Sequence, residues 1–422
     1  MKVFQINTTL NTTSTGRIAE EIGQTLIQNG HKSYIASAQL GPSGTSSKHI
    51  LIGSAIDIYM HGLKSRLLDR HGFGSTSATK QLVERIKQVD PDVIGLHNLH
   101  GYYLNVEVLF TYLKQVQKPV IWTFHDCWPF TGHCSYFDFV GCEKWKTECY
   151  DCPLSDKYPA SWFFDNSRKN FHQKKTLFNG LEKLVIVTPS KWLKDLVGKS
   201  FLSSYAVKVI HNGIDLEQFR PVDADIAKAE YGLSGRHVVL GVASVWDRRK
   251  GLDYFFDLSK RLDDRFKIIL VGLAGDHLRN LPDNIMGIAR TESLEELVAL
   301  YNIADVFMNP TLVDNFPTTN LEALACGTPV ITFDTGGSPE AVSAKTGRVV
   351  AQKNVDELYK SVKQIVENGK DFYNPHCRAR AVAKYDKNDR FAEYVDVYKE
   401  LAEQSTVLNL DQVSVECKEK HQ

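Results

Sequence analysis

The sequence predicts an α/β protein of two domains, each organised on a parallel sheet, and three observations carry that prediction. At 422 residues the chain exceeds what one ordinary hydrophobic core spans. Short, almost wholly apolar runs such as VIGL at 93–96 and FKIILV at 266–271 alternate with longer helical segments, the rhythm of buried strands joined by helices. That rhythm breaks at the loop 212–221 and restarts after Arg236, which places a hinge between two such units.

The first domain is expected over 1–212. Residues 2–7 read as a buried strand, 7–16 (NTTLNTTSTG) as a loop of small polar residues and 17–28 as a helix. Gly16 at the helix start lets the backbone approach a ligand closely. Further strands are expected at 31–38, 93–96, 119–123, 184–188 and 207–210, with 41–48 as loop and helices at 56–70, 78–89, 106–115, 162–178 and 191–199. Asn7, His97 to His100, and His125 with Asp126 fall at strand ends, where open α/β sheets bind ligands. Helix 56–70 carries Lys64, Arg66 and Arg70, and helix 162–178 carries Arg168, Lys169, Lys174 and Lys175. Such basic faces either lie on anionic lipid or stand in water.

A cysteine-rich insertion at about 127–153 interrupts the pattern. Cys134, Cys142, Cys149 and Cys152 are spaced by seven, six and two intervening residues. Four thiolates so spaced can hold a tetrahedral structural Zn²⁺ that ties down an aromatic-rich loop with little core of its own. His133 and Cys127 are spare candidates, and free buried thiols are the alternative. Neither reading is catalytic.

The second domain is expected over 213–385, with strands at 237–243, 266–271, 306–309, 330–333 and 347–351 and helices at 224–231, 252–262, 294–301, 318–326, 355–368 and 375–383. The first of these strands runs into Trp246-Asp-Arg-Arg-Lys-Gly251, a basic cluster suited to a diphosphate. The stretch from Asn309 to Glu340 holds two carboxylates, Asp314 and Glu322, with seven residues between them. This spacing puts Asp314 ahead of a helix and Glu322 just over one turn inside it. The helix start, with Thr318 and Thr319, offers free backbone N–H groups and the positive dipole end to an anion. Alternatively, the stretch is one more β-α-β unit with its carboxylates in solvent. An amphipathic helix at 390–401 closes the fold, and 403–422 reads as a mobile tail.

Fifty Lys and Arg balance fifty Asp and Glu, so composition gives no bias toward nucleic acid. No apolar run approaches a membrane span and the first residues enter a strand pattern directly, so a cytoplasmic protein is expected.

Taken together, Gly16, His125, Asn212-Gly213-Ile214-Asp215, Arg249-Lys250-Gly251, and Asp314 and Glu322 followed by Ala-x-Ala-Cys-Gly-Thr-Pro-Val resemble a retaining glycosyltransferase of the GT-B type. The family (glycosyltransferase family four) includes glycogen synthases, sucrose synthases and many bacterial polysaccharide enzymes. WTFHDCWPFTGHC and the cysteine segment additionally resemble its capsule, colanic-acid and exopolysaccharide branch. The resemblance implies two Rossmann-like domains facing across a cleft, with a C-terminal helix, 386–402, crossing back to the first. It also implies transfer of a sugar from a UDP- or GDP-linked donor to a glycan or lipid-linked glycan, with no catalytic cofactor and with peripheral contact at the inner membrane.

By that resemblance Lys250 and Arg249 would bind the donor pyrophosphate, with Thr318 and Thr319 facing the phosphates and Gly16 approaching them. Glu322 would hold the ribose hydroxyls, Asp314 and the backbone of Asn315 and Phe316 the donor sugar, and His125 would touch the sugar near the reacting carbon. His125, Lys250 and Asp314 are thus the catalytic candidates. Two departures stand out. The family's first acid is usually Glu, and the arginine usually several residues before the lysine falls at Ser244 or Val245, so Arg248 or Arg249 must replace it. These departures motivate one alternative, a catalytically silent subunit that binds sugar nucleotide for a partner enzyme; a further alternative is a sugar-nucleotide epimerase.

Overall fold

The computed structural model describes residues 1–419, and the side chains of all of these except 276 and 405–419. They form two compact units, one of Met1–Ile210 with the chain from Phe391 onward and one of His211–Arg390.

The first unit carries strands β1 (Lys2–Leu10), β2 (Lys32–Leu40), β3 (Lys48–Leu51), β4 (Val93–Leu96), β5 (Val120–Thr123), β6 (Leu184–Thr188) and β7 (Ala206–Val209). They pair in the order β3-β2-β1-β4-β5-β6-β7, all parallel. Its helices up to the hinge are α1 (Ser14–Gln28), α2 (Ala55–Leu68), α3 (Thr76–Val89), α4 (Val106–Val116), α5 (Ser167–Phe178) and α6 (Lys191–Val197). Neighbouring strand residues point to opposite faces, and both faces are buried. Phe4, Ile94, Trp122 and Ile186 join one apolar cluster, while Val3, Val93, Ile121 and Val187 join another with Ile18, Ile22 and Leu26 of α1.

The second unit carries α7 (Asp225–Glu230), β8 (His237–Val242), α8 (Leu252–Ser259), β9 (Phe266–Val271), β10 (Ile285–Ile288), α9 (Leu294–Ile303), β11 (Val306–Asn309), α10 (Thr318–Ala325), β12 (Val330–Phe333), β13 (Gly347–Val350), α11 (Val355–Asn368) and α12 (Lys370–Tyr385). Its parallel sheet runs β10-β9-β8-β11-β12-β13. The last helix, α13 (Lys387–Glu419), returns the chain to the first unit, where Phe391, Tyr394, Val395, Tyr398 and Leu401 complete the cluster on α1's side of the sheet. The architecture is that of two Rossmann-like domains, each a parallel sheet flanked by helices.

Strand order reverses direction between β1 and β4 in one sheet and between β8 and β11 in the other. In open α/β sheets the ligand crevice lies outside the carboxyl ends of the strands at such a switch point, so the loops after these four strands are where to look.

Several expectations need correction. The short edge strands β3 and β10 are additional. Helix α5 starts at Ser167 rather than 162, because Trp162, Phe163 and Phe164 are exposed and have no core to face. Helix α2 stops at Leu68, where Asp69 takes a left-handed conformation, and α12 begins at Lys370 with Pro375 inside it. Helix α13 runs through 403–419, expected as a tail; neither Gly nor Pro follows Lys387 to stop it. The expected tail's last residues, 420–422, lie outside the described residues.

Candidate functional site

At the switch point of the second unit, the loops after β8 and β11 are stapled together. Asp247 caps the short turn Arg248–Lys250, accepting from the Lys250 N–H at 2.8 Å. The Arg249 carbonyl accepts from the Leu312 N–H (2.7 Å) and from Thr311 Oγ1 (3.2 Å), and its guanidinium donates to the Val313 carbonyl (3.2 Å). Gly251, at φ +78°, sits so close to the second loop that an added Cβ would lie 2.1 Å from the Pro310 carbonyl oxygen. Only glycine satisfies both the backbone angle and the approach.

This packing delivers Lys250 to Asp314, with Nζ donating to Oδ2 at 2.5 Å. Asp314 Oδ1 accepts from the Asn315 N–H at 2.9 Å, and the Asp314 carbonyl accepts from the Gly337 N–H at 3.0 Å. Burial pushes the Asp314 carboxyl up, but Lys250, Arg249 and the Asn315 N–H outweigh it, and the net shift is downward. Asp314 is therefore held as a carboxylate beside an ammonium. Phe316 is buried, stacked on His211 with centroids 4.6 Å apart, and its carbonyl accepts from Asn212 Nδ2 at 2.9 Å.

Helix α10 follows at once. Pro317 occupies its N-cap and no side chain caps it, so its first N–H groups, beside the half-buried Thr318 and Thr319, form an anion-binding end. Glu322, one turn further, is only 8% exposed, and its Oε2 accepts from Tyr301 Oη at 2.7 Å. Beneath the helix, Asn320 accepts from Asn309 Nδ2 (2.9 Å) and donates to Ser338 Oγ (3.0 Å). These bonds fix the rotation of the helix about its axis and with it the position of Glu322.

In the first unit, His125 follows β5. Its Nε2 shares a 3.2 Å hydrogen bond with His97 Nδ1, and the rings stack at 5.5 Å. His97 Nε2 is hydrogen-bonded to Gln5 Oε1 at 3.0 Å. Burial, ahead of the opposing Asp126 and the like-signed His100, lowers the His125 pKa to about 4, so the ring is neutral near pH 7. Asp126 pairs with His100 Nε2 at 2.7 Å. Gly16 is buried at the start of α1: its N–H donates to Thr13 Oγ1 (3.3 Å), and an added Cβ would meet the Thr9 carbonyl oxygen at 2.9 Å. That contact gives Gly16 a packing reason of its own.

The structure thus brings Arg249, Lys250, Asp314, Asn315 and Phe316 into one loop cluster followed by Thr318, Thr319 and Glu322. Sequence reasoning missed Tyr301, His211 and Asn212 as supports, because each contacts its partner across the fold rather than along the chain. Two expectations about basic faces are corrected. Lys174 is 1% exposed and donates to the carbonyls of Trp128 (2.8 Å) and Thr131 (3.1 Å), and so cannot present charge to a surface. Lys64 donates to the Phe73 carbonyl and Arg70 to Asn170, while α2 instead exposes Ile56 and Tyr59 (74% and 71%). No helix among the described residues is long and apolar enough to cross a membrane. Cys134, Cys142, Cys149 and Cys152 all line one small cavity. The expectation that their loop has little core fails, since Phe130, Phe137 and Trp145 pack together within it.

Comparison with known proteins adds independent evidence. Residues 236–368 match the family model described as glycosyl transferases group 1, and 15–218 match that of glycosyltransferase family 4. The chain is 26% identical over 351 residues, 80% of itself and 82% of the other protein, to a putative colanic acid biosynthesis glycosyl transferase, WcaC, of Escherichia coli K12. It is 30% identical over 176 residues to a D-inositol 3-phosphate glycosyltransferase of Mycobacterium sp. (strain KMS), spanning 39% of this chain and 40% of that one. Among solved structures, it resembles a sucrose-phosphate synthase from Thermosynechococcus elongatus (TM-score 0.69, 15% identity, 95% of this chain and 98% of that one). It also resembles HepE from Anabaena in complex with UDP (TM-score 0.68, 13% identity, 95% and 100%). The chain thus has a GT-B fold, and glycosyltransferase family models match residues in both of its units.

Proposed function

We propose that this protein is a retaining glycosyltransferase that moves a sugar from a nucleotide-diphosphate sugar to a hydroxyl of a glycan or lipid-linked glycan in bacterial surface polysaccharide synthesis. The observation that carries the reading is the Lys250–Asp314 pair at the switch point, directly ahead of the uncapped start of α10. A departing nucleoside diphosphate needs its developing charge neutralised. Lys250, Arg249 and the α10 N-terminus supply fixed positive charge there. Glu322 is assigned to the ribose hydroxyls, with Tyr301 fixing its orientation. Asp314 and the backbone of Asn315 and Phe316 are assigned to the donor sugar, and His125 to the sugar near the reacting carbon.

In the step proposed, the bond from the anomeric carbon to the phosphate oxygen breaks and the acceptor oxygen bonds to the same face of that carbon. The acceptor proton passes to the leaving phosphate, so no enzymic nucleophile is required. A UDP donor is supported by the UDP held by the HepE structure of the same fold, and a polysaccharide acceptor by the WcaC relative. Contact with anionic lipid is assigned to exposed Ile56 and Tyr59 of α2 with the neighbouring Arg66.

Thermal-shift screening with UDP- and GDP-sugars identifies the donor, and acceptor extracts with and without anionic vesicles then identify the acceptor. Lys250→Ala and Glu322→Ala are each expected to lower transfer by ~10²-fold or more with the fold retained by circular dichroism. Wild-type transfer by either variant overturns the assignment. Donor binding without turnover would indicate the silent subunit, and an isomerised donor in the absence of acceptor would indicate the epimerase.

A further inference from the structure

We propose that Cys134, Cys142, Cys149 and Cys152 ligate one structural Zn²⁺ ion, with His133 as the polar group that balances the thiolates. Cys134, Cys142 and the pair Cys149 and Cys152 bring four thiols to a single small cavity of about 10 Å³, room for about one ion or water. They are free cysteines. Cys134 and Cys152 are within hydrogen-bond reach of each other. As the side chains stand, no three His, Cys, Asp or Glu among the described residues are set for a metal. Ligation therefore takes rotation of the thiols into the cavity they already share.

Other observations point to negative charge at this place. His133 lines the same cavity and is 2% exposed. Its Nδ1 is held by Asp69 Oδ1 at 2.5 Å, while its Nε2 is buried without a hydrogen-bond partner. In a cavity shared with four cysteines, a thiolate sulfur would satisfy that orphan. The Gly132 N–H donates to Cys149 Sγ at 3.2 Å. Gly132 has no room for a side chain, since an added Cβ would lie 2.1 Å from the Ser167 carbonyl oxygen. The buried Lys174 ammonium, on the helix that follows, lies close enough to Cys149 and Cys134 to interact with both. Binding releases the four thiol protons to solvent and leaves a site of formal charge about −2, beside the buried side chains of Lys174 and His133.

The fold explains what such an ion does. Between β5 and α5 the chain has no strand or α-helix, only short turns such as Trp128–Phe130, Asp138–Val140 and Lys144–Lys146 packed about the Phe130, Phe137 and Trp145 rings. An ion joining four points of this segment would fix its path. Four sulfur donors in tetrahedral array select zinc over the harder divalent cations.

Elemental analysis of the full chain, purified without a metal-affinity step, is expected to give about one zinc per chain, released stoichiometrically by a mercurial. The cobalt-substituted protein is expected to show intense sulfur-to-cobalt charge-transfer absorption. Cys149→Ser and Cys152→Ser each should lose most of the metal, while Cys377→Ala keeps it. Metal-free wild-type protein with the four thiols titratable, or a disulfide among them by mass spectrometry, overturns the proposal, as does undiminished zinc in the Cys149→Ser and Cys152→Ser variants.

Discussion

Glu322 shows how one residue's role depends on a partner the chain does not place beside it. Tyr301 Oη donates to its Oε2 from the end of α9, and both side chains are buried. Replacing Tyr301 by Phe removes that hydrogen bond to a buried carboxylate, which costs ~1–2 kcal/mol of stability. On the proposed contact of Glu322 with the ribose, loss of that bond is expected to raise the donor KM by about fivefold with kcat little changed, a shift of about 1 kcal/mol in binding. Steady-state kinetics beside a urea melt checks both parts. An unchanged KM would remove Tyr301 from the site's support. Asp314 is different in kind: its bonds to Lys250 and to the Asn315 N–H are local to two adjoining loops, so it is fixed wherever those loops are.

At the scale of elements, α13 is the clearest case of a segment whose place follows from what it buries. Tyr394 and Tyr398 are almost wholly enclosed, and an added Cβ on Gly95 of β4 would lie 2.3 Å from the Tyr398 hydroxyl. The glycine in the strand is the socket for the tyrosine. Tyr398→Ala is expected to destabilise the first unit by ~3–5 kcal/mol, visible as a lowered denaturant midpoint. The apolar runs of β4, β5, β9 and β11 were legible because strands buried on both faces carry little else. The half-exposed KHIL of β3 and the Gly-containing IMGI of β10 carry no such signal, being edge strands. For the same reason Lys250, Asp314 and Glu322 could be singled out from turn chemistry and spacing, whereas the burial of Lys174 could not. An amphipathic lysine whose ammonium finds two carbonyls across the fold looks, along the chain, like any surface lysine.

For the molecule as a whole, a set of buried histidines makes stability depend on pH. The N–H groups of Gly72 and Gly74 donate to His61 Nε2, and that of Gly101 donates to His71 Nε2, so those nitrogens must keep their lone pairs. Burial lowers the pKa of His61 to about 3 and that of His125 to about 4, and holds His71 and His97 well below the ordinary value. In the unfolded chain each titrates near 6.5. As pH falls from about 6.5 toward 4, the unfolded state therefore takes up protons that the folded state refuses, and stability drops. His133 acts in the opposite sense: burial lowers its pKa, but Asp69 outweighs it and the net shift is upward. With four groups against one, the urea midpoint is expected to be clearly lower at pH 5 than at pH 7.5; equal midpoints would contradict the neutral assignments.

The return of α13 also bears on how the protein is made. The second unit is one unbroken stretch, His211–Arg390, but the first needs residues from both ends of the chain, since Phe391, Tyr394 and Tyr398 complete its core. A ribosome delivers the chain in the N- to C-terminal direction, so β1 must wait for a helix made after the whole of the second unit. The later-synthesised unit has all its parts first. During synthesis the order of folding is therefore expected to invert the order of the sequence, and the half-built first sheet, with one face covered by α1 but not yet by α13, is the stage most in need of a chaperone.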